Sequence, residues 1–258
     1  MLEIAIAIAR EAGALLRDGF RRERTYRFKS RAELVTAMDR ASEQLIVERL
    51  AAHFPDHTII AEEGSRYAGS PRAVWLVDPL DGTNNYARGI AYWAVSLALL
   101  LDERPVLGVV YDPIHDECFT AEAEGPALLN GTPLHVSACA DLSQAQLSTG
   151  FPYRRWEHGD TNLPEVAAMV MACQDLRRMG AAALDLCAVA AGRSEGHWEL
   201  RIAPWDGAAG ALIVQRAGGM VTDLTGAAYT PWQPPIVASN GLIHDALLQI
   251  LGAARNAS

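Results

Sequence analysis

The sequence has few cysteines, and their spacing matches neither a metal site nor a redox pair. Only four occur in 258 residues: Cys118, Cys139, Cys173 and Cys187. No two of them form a Cys-x-x-Cys pair, and none has a histidine partner at the spacing of a zinc site. We therefore expect reduced thiols in a cytoplasmic protein, with no zinc site and no disulfide framework.

Long hydrophobic runs and an excess of positive charge are also missing. The longest apolar candidate, residues 93–101, is too short to cross a membrane. The Ile-Ala repeat near the start follows Glu3 and is closed by Arg10, which favours an amphipathic helix over a signal peptide. The 22 Lys and Arg against 31 Asp and Glu give a formal net charge of −9. This balance argues against a general binder of nucleic acids or anionic membranes, which require clustered cations.

What is present is an ordinary globular composition whose pattern changes along the chain. Half of the residues are hydrophobic, and a chain of this length should bury roughly 75% of its unfolded surface. Residues 1–140 predict helices followed by an antiparallel sheet, and residues 141–258 predict strands separated by helices. The expectation is one compact unit with an α+β half and an α/β half. The predicted helices cover 2–20, 36–54, 164–172, 181–191, 204 onward and 243–251, and the predicted antiparallel strands are 94–101, 106–111 and 118–121.

One stretch in the first half places two carboxylates directly after an expected buried strand. Residues 73–77 are a short apolar, β-rich run, and Pro79 is expected to end it. Asp78 and Asp81 then lie just past the strand, followed by Gly82 in a turn. Two acids three residues apart resist burial together unless a cation lies between them. The stretch therefore predicts either two solvated acids, with Asp81 capping a turn, or a metal site.

Three further acids stand at the start of a predicted helix or the end of a predicted strand. Asp39 follows Thr36 by three residues, the spacing of a capping pair. Glu62 comes after the predicted strand 58–61, where a solvated loop acid is common. Asp206 lies in the first turn of a predicted helix, where the helix dipole alone would explain an acid. Each acid has a structural explanation, so none of them predicts a site by itself.

Taken together, these motifs resemble the inositol monophosphatase family of magnesium-dependent, lithium-sensitive phosphatases, and the resemblance spans nearly the whole chain. It implies a layered αβαβα sandwich of the inositol monophosphatase and fructose-1,6-bisphosphatase type. Lys29 also corresponds, although its distance from Asp39 is about one residue shorter than in the family. The matching motifs, in the family's order, are Thr36…Asp39, Glu62-Glu63, Asp78-Pro79-Leu80-Asp81-Gly82-Thr83, Gly180-Ala181-Ala182-Ala183 and Trp205-Asp206 followed by Ala208-Ala209-Gly210.

The resemblance implies a magnesium site built from oxygen ligands, which suit this hard cation. Glu62, Asp78 and the carbonyl of Leu80 would hold a first ion. Asp78, Asp81 and Asp206 would hold a second, so that Asp78 bridges the two. The family pattern implies two or three magnesium ions per subunit, with manganese as a substitute and lithium or calcium as inhibitors.

The same resemblance places the chemistry in the residues around this site. Thr83, with Asp39 behind it, would orient and help deprotonate the water that attacks phosphorus. Glu62 would belong to the same catalytic group, and Asp81 would position a water that protonates the departing alkoxide. No covalent phosphoenzyme is implied.

Substrate-binding positions are implied at Gly82, Thr83, Ala182 and Glu199. Backbone N–H groups of Gly82 and Thr83 would hold phosphate oxygens, since glycine lets the main chain come close. Ala182 would line the substrate pocket, and Glu199 would bind inositol hydroxyls. An exposed acid on a strand explains Glu199 equally well, so both explanations stay open.

The residues after Thr83 bear on the class of substrate. Relatives that act on histidinol phosphate or on nucleotides of sulfur metabolism usually carry lysine there, and this chain carries Asn84-Asn85-Tyr86. The resemblance therefore implies inositol 1-phosphate or a similar small polyol or sugar phosphate as the substrate. A histidinol-phosphate or fructose-1,6-bisphosphate phosphatase of the same superfamily is the alternative.

The resemblance also implies a homodimer, and the charge balance predicts no direct binding of nucleic acid or membrane. An alternative of another class comes from bacterial relatives that act as partners of the transcription machinery. Arg177 and Arg178 stand before the Gly180 motif and could serve either the site or a dimer interface.

Overall fold

The computed structural model describes residues 1–22, 26–31 and 33–256. Its helices are α1 Leu2–Phe20, α2 Ala37–His53, α3 Thr83–Arg88, α4 Arg155–His158, α5 Leu163–Val170, α6 Ala182–Ala190, α7 Pro204–Arg216 and α8 His244–Asn256. Its strands are β1 Tyr26–Phe28, β2 Leu34–Thr36, β3 His57–Ala61, β4 Arg66–Tyr67, β5 Ser70–Asp81, β6 Ala94–Leu101, β7 Arg104–Asp112, β8 Glu117–Glu122, β9 Leu128–Leu129, β10 Thr132–Pro133, β11 Gln146–Thr149, β12 Asp175–Arg177, β13 Gly196–Glu199, β14 Met220–Thr222 and β15 Ile236–Ser239. Every helix predicted from the sequence is present, and the last continues beyond residue 251 to Asn256.

Two large sheets carry most of the strands. The first has eight strands in the order β10-β9-β8-β7-β6-β5-β3-β4 and is antiparallel except for the parallel pair β3 and β5. Its strands β6, β7 and β8 form the antiparallel meander that the sequence predicts. The second sheet has five strands in the order β12-β11-β13-β15-β14, in which β12, β11 and β13 run parallel and β15 runs antiparallel to both of its neighbours.

The strand predicted at residues 73–77 is longer than expected, and Pro79 does not end it. β5 continues to Asp81, and its pairing with β6 shifts register between Asp78 and Asp81. The expectation that both acids lie past the strand was therefore wrong, since they belong to its last residues. Pro79 is tolerated because it falls within the irregularity, where the ladder is already interrupted and its missing N–H is not needed.

Five layers stack in the order αβαβα, which confirms the layered sandwich implied by the motifs. Trp75 and Val77 of β5 face α1 and α2, whereas Leu76 faces the opposite side, where α6 and α7 pack. On β15, Ala238 faces α6 and α7, and Val237 faces α5 and α8. This alternation is the two-residue period of a strand buried on both faces. Helices α6 and α7 thus lie between the two sheets, and the boundary near residue 140 stays a prediction.

Two expectations drawn from the composition can be compared with the structure. All four cysteines are free, with Cys118 and Cys187 buried. No helix within residues 1–22, 26–31 or 33–256 has both the length and the apolar character of a membrane span.

Small residues let α7 lie close to its neighbours. A Cβ atom placed on Gly108 of β7 would lie 2.9 Å from the carbonyl oxygen of Ala209. On another side of α7, a Cβ atom on Gly210 would lie 2.6 Å from the Cβ atom of Leu186 in α6. Both distances are well below the optimum for non-bonded contacts. The run of small residues after Asp206 therefore sets how closely this part of α7 approaches β7 and α6.

We predict that Gly108→Ala destabilises the protein, because the added methyl group would overlap the backbone of α7. The expected loss in the free energy of unfolding is about 1–3 kcal/mol, and it is measured as a lower Tm or denaturant midpoint. Gly252→Ala is the matched control, since a Cβ atom there meets nothing within 4 Å and lies in helix α8. The control should keep or raise the Tm, and equal effects of the two substitutions would contradict this account of the packing.

Candidate active site

A pocket of about 220 Å³ lies where β5 ends and where α6 and α7 begin. Asp39 is the one predicted site residue outside its lining, and it is fully buried behind Thr83. Segments far apart in the chain therefore meet at one place. The predicted site residues that line the pocket are Glu62, Asp78, Leu80, Asp81, Gly82, Thr83, Ala182, Glu199 and Asp206.

The parallel pairing of β3 and β5 brings Glu62 next to Asp78. Ala61 pairs with Val77 in the sheet, so the two acids that follow these residues leave neighbouring strands side by side. The carboxyls of Glu62 and Asp206, the latter in the first turn of α7, both interact electrostatically with that of Asp78. Asp78 thus interacts with acids from two other segments of the chain.

This crowding of acids changes how readily each one ionises. Burial, followed by the charges of neighbouring acids, raises the pKa values of Asp78 and Asp206 well above their usual range. Burial raises the pKa of Glu62 to about 7 even though Lys29 opposes the shift. Burial also raises the pKa of Asp81 to about 6, against hydrogen bonds from the backbone N–H groups of α6. The cluster therefore binds protons more strongly than solvent-exposed acids do, unless a cation compensates its charge.

The donor set fits magnesium better than a softer metal. The pocket offers carboxylates and the Leu80 carbonyl, and no histidine or cysteine is among the described residues that line it. Within the described residues, no group of three or more His, Cys, Asp or Glu side chains already has the arrangement needed to hold a metal ion. Magnesium usually keeps several waters and takes further oxygens from a phosphate substrate. A pocket with acids around it suits such an ion better than a closed protein cage would.

Asp39 serves a helix cap and the site at once. Its Oδ2 atom accepts hydrogen bonds from the Thr36 N–H at 2.7 Å and the Thr36 hydroxyl at 2.6 Å, which completes the predicted capping box of α2. Its Oδ1 atom lies 2.7 Å from the hydroxyl of Thr83. The hydroxyl of Thr83 also lies 3.0 Å from the carbonyl oxygen of Leu80. Its single proton can therefore be donated either to Asp39 Oδ1 or to this carbonyl. One carboxyl oxygen is therefore structural, and the other faces the site.

Asp81 and Asp206 likewise contact the first turns of helices. Asp81 accepts a hydrogen bond of 2.8 Å from the N–H of Ala183 in α6, and Asp206 accepts one of 3.3 Å from the N–H of Ala203. Gly82, which follows Asp81, has a φ of +91°, and a side chain there would meet the Tyr92 carbonyl oxygen at 2.9 Å. Only glycine combines this conformation with this close approach.

Glu199 is not an exposed strand acid. Its side chain is 18% exposed and lines the pocket at the end of β13. Burial, followed by the charges of Asp185 and Asp81, raises the pKa of Glu199 to about 8. Of the two explanations left open by the sequence, a pocket residue matches this position.

The structure shows where three basic residues lie whose roles the sequence left open. Lys29 donates a hydrogen bond to Glu62 at 3.3 Å and another to Glu63. Burial opposes its charge, but these carboxylates outweigh burial and raise the pKa of Lys29. Arg178 lines the site pocket, whereas Arg177 pairs with Asp175 and lines a separate cavity.

The aromatic residues that follow β11 and line the pocket were not predicted from the sequence. Phe151 and Tyr153 line the pocket, and just beyond them the Trp156 ring lies under the guanidinium groups of Arg31, at 4.4 Å, and Arg155, at 4.0 Å. The available signal was an aromatic-rich run directly after a short strand. Glu33, Arg201 and Trp205 also line the pocket and were not predicted as site residues.

The three residues used to narrow the substrate class, Asn84, Asn85 and Tyr86, are not among those that line the pocket. The Asn85 side chain donates hydrogen bonds to the carbonyls of Tyr92 and Met179, at 2.8 and 2.9 Å. The Tyr86 hydroxyl donates to the carbonyl of Leu16 at 2.7 Å. These contacts hold α3 against α1 and against the loop before α6, so any effect of Asn85 or Tyr86 on the substrate acts through the backbone.

Comparisons with known proteins identify the family to which the chain belongs. The model of the inositol monophosphatase family matches residues 1–256. An inositol-1-monophosphatase from Synechocystis sp. is 41% identical, covering 98% of this chain and 88% of the relative. A protein named Nus factor SuhB from Pasteurella multocida is 43% identical, covering 88% of this chain and 86% of the relative.

Solved structures give the same result for the fold. The inositol monophosphatase from Anabaena (Nostoc) sp. superposes with a TM-score of 0.90 at 40% identity, covering 98% of this chain and 95% of that one. A family match over nearly the whole sequence, together with these identities, shows that the chain belongs to the inositol monophosphatase family.

Proposed function

We propose that this protein is a magnesium-dependent phosphomonoesterase that hydrolyses inositol 1-phosphate or a similar small polyol or sugar phosphate. The observation that carries the proposal is the meeting of Glu62, Asp78, Asp81 and Asp206 at one pocket, beside the hydroxyl of Thr83. Membership of the inositol monophosphatase family supports phosphatase chemistry.

The acids around Asp78 are assigned to metal binding. Glu62, Asp78 and the Leu80 carbonyl would hold one magnesium ion, and Asp78, Asp81 and Asp206 a second. When bound, the ions supply the positive charge that attracts the phosphate and stabilises the negative charge developing on the attacking and leaving oxygens. The raised pKa values of these acids support the assignment, because a cation removes the repulsion that otherwise favours their protonated forms.

Thr83 and Asp39 are assigned to the attacking water. When the Thr83 hydroxyl donates to Oδ1 of Asp39, 2.7 Å away, the lone pairs of the threonine oxygen are free to accept a hydrogen bond from a water in the pocket. That contact would orient the water toward phosphorus, and its proton would pass through Thr83 to Asp39. Oδ2 of Asp39 is engaged by Thr36, so Oδ1 is the oxygen that serves the site.

The remaining pocket residues are assigned to the substrate. The N–H groups of Gly82 and Thr83 would hold phosphate oxygens, and Ala182 would line the polyol side. Glu199 would exchange hydrogen bonds with substrate hydroxyls, and Asp81 would position the water that protonates the leaving alkoxide. The proposal also includes a homodimer and inhibition by lithium and calcium, which family membership supports.

We predict that the purified protein releases phosphate from inositol 1-phosphate when magnesium is present and not after chelation with EDTA. Asp81→Asn should lower kcat/KM about 100-fold or more, as expected for loss of a charge aimed at the reacting groups. Asn keeps the shape of Asp and can still accept the Ala183 N–H. Asp245→Asn is the control, since that acid is exposed on α8 and should retain normal activity.

Phosphate release would be compared across inositol 1-phosphate, histidinol phosphate, fructose 1,6-bisphosphate and adenosine 3′,5′-bisphosphate. The proposal fails if none of these esters is hydrolysed with magnesium supplied. Normal turnover by Asp81→Asn would remove this residue from the mechanism.

Magnesium binding can be tested without turnover. We predict that saturating magnesium raises the Tm, since about 2.7 kcal/mol is gained per site at a concentration 100 times the Kd. Asp206→Asn should reduce this rise. The metal-free variant should melt no lower than the unsubstituted protein, because it carries one fewer buried acid beside Asp78. A lower metal-free Tm together with an unchanged magnesium effect would assign Asp206 a structural role instead.

A second candidate function is supported by the relatives named Nus factor SuhB. These names favour a binding role with the transcription machinery, alone or beside catalysis. We predict that the immobilised chain retains purified bacterial RNA polymerase with its Nus factors, and that Asp81→Asn retains them equally. The control is an unrelated protein of similar net charge. Equal retention by the control would contradict the second candidate.

A further inference from the structure

His197 is a buried polar residue that the proposed mechanism does not use. It lies on β13 two residues before Glu199, and alternation along a strand places the two side chains on the same face. The ring is fully buried. Burial lowers the pKa of His197 to about 3, so the imidazole is neutral and its approach to nearby carboxyls is not an ion pair.

One nitrogen of this ring is satisfied and the other is not. Nδ1 lies 2.9 Å from the hydroxyl of Ser148 on the neighbouring strand β11. Nε2 is buried and has no hydrogen-bond partner among the residues that the structure describes. The atom it faces is Oε1 of Glu199, at 3.7 Å. Buried polar atoms are rarely left unpaired in proteins, so this arrangement points to a contact that closes when the pocket is filled.

Glu199 is confined on another side by Gly150. A Cβ atom added to Gly150 would overlap the Glu199 carboxyl. Asp185 of α6 lies beyond the His197 ring, with its Oδ2 atom 4.0 Å from Nδ1, and its own Oδ1 accepts a hydrogen bond from Tyr92 at 2.8 Å. The Glu199 carboxyl is therefore held between backbone on one side and an imidazole nitrogen on the other.

We propose that His197 is a positioning residue, whose Nε2 orients the carboxyl of Glu199 and thereby sets the preference of the pocket for phosphate esters of polyols. This inference rests on the proposed function, in which Glu199 contacts substrate hydroxyls. When the Ser148 hydroxyl donates to Nδ1, the proton of the neutral ring lies on Nε2 and faces Glu199. A small rotation of the carboxyl then closes the hydrogen bond, as often happens when a substrate enters.

The inference predicts a selective effect and not a general loss of activity. A polyol ester presents hydroxyls to Glu199, whereas an aryl ester such as p-nitrophenyl phosphate has none. Disordering Glu199 should therefore lower kcat/KM for inositol 1-phosphate relative to that for p-nitrophenyl phosphate. The ratio of the two values is the readout, because damage to the metal site would reduce both.

We predict that His197→Leu lowers this ratio about five- to ten-fold, the loss expected for one hydrogen bond. His197→Gln should restore most of the ratio, since its amide nitrogen can take the place of Nε2. Gly150→Ala should lower the ratio as well, because it displaces the same carboxyl from the opposite side. His244→Leu is the matched control: this buried histidine has both ring nitrogens bonded, to Thr222 and Ser239, and lies outside the pocket lining.

A double-variant cycle decides whether His197 acts through Glu199. If it does, His197→Leu should cause no further loss of the ratio in a Glu199→Ala background. Independent, additive losses would overturn the proposal, as would an unchanged ratio in His197→Leu and Gly150→Ala. Should His197→Leu fail to fold, Gly150→Ala and His197→Gln still decide the question.

The outcomes separate this inference from the function on which it rests. If Glu199→Ala leaves the ratio unchanged, the polyol contact assigned to Glu199 is wrong and the positioning role falls with it. If Glu199→Ala lowers the ratio and the substitutions of His197 and Gly150 do not, the proposed function stands and the positioning role is wrong. If the unsubstituted protein hydrolyses neither these two esters nor the other phosphate esters compared above, both proposals are contradicted.

Discussion

Repulsion among the carboxyls around Asp78 is the constraint on which the rest of the structure depends. Two like charges 4 Å apart repel by about 4 kcal/mol at the effective dielectric constant of 20 typical of protein sites, and the charges of Glu62, Asp206 and Asp81 all act on Asp78. The fold nevertheless forces the acids together, through the parallel pairing of β3 with β5 and the close packing of α7. Protons or cations must therefore compensate the charge, and this requirement connects the architecture to metal-dependent chemistry.

Several of the acids are also held by backbone N–H groups. Asp39 is anchored by Thr36, Asp81 by Ala183 and Asp206 by Ala203, each near the first turn of a helix. These bonds stabilise the negative charge and fix the direction of the carboxyl. The same acid can therefore both cap a helix and belong to the site. A helix start offers both a donor for one oxygen and an open side for the other.

Much of the fold was predictable because its signals are local. The capping pair of α2, the small-residue start of α7 and the alternation in the meander each depend on neighbours in sequence. The effect of Pro79 was predicted wrongly, because it depends on a non-local feature. That feature is the register shift in the pairing of β5 with β6. The motifs also identified the acids of the pocket. Phe151, Tyr153 and the unpaired Nε2 of His197 were not predictable, because their importance comes from which strands become neighbours in the second sheet.

The position of α7 between the two sheets has a consequence for how the protein acquires its site. Asp206 reaches Asp78 only when α7 is covered on both faces, by β7 on one side and by the strands of the second sheet on the other. Joining segments so distant in sequence costs more loop-closure entropy than forming a local hairpin does. A nascent or partly assembled chain would display the first sheet with its cluster of acids incomplete. The pocket is thus complete only when the second half of the chain is packed against the first.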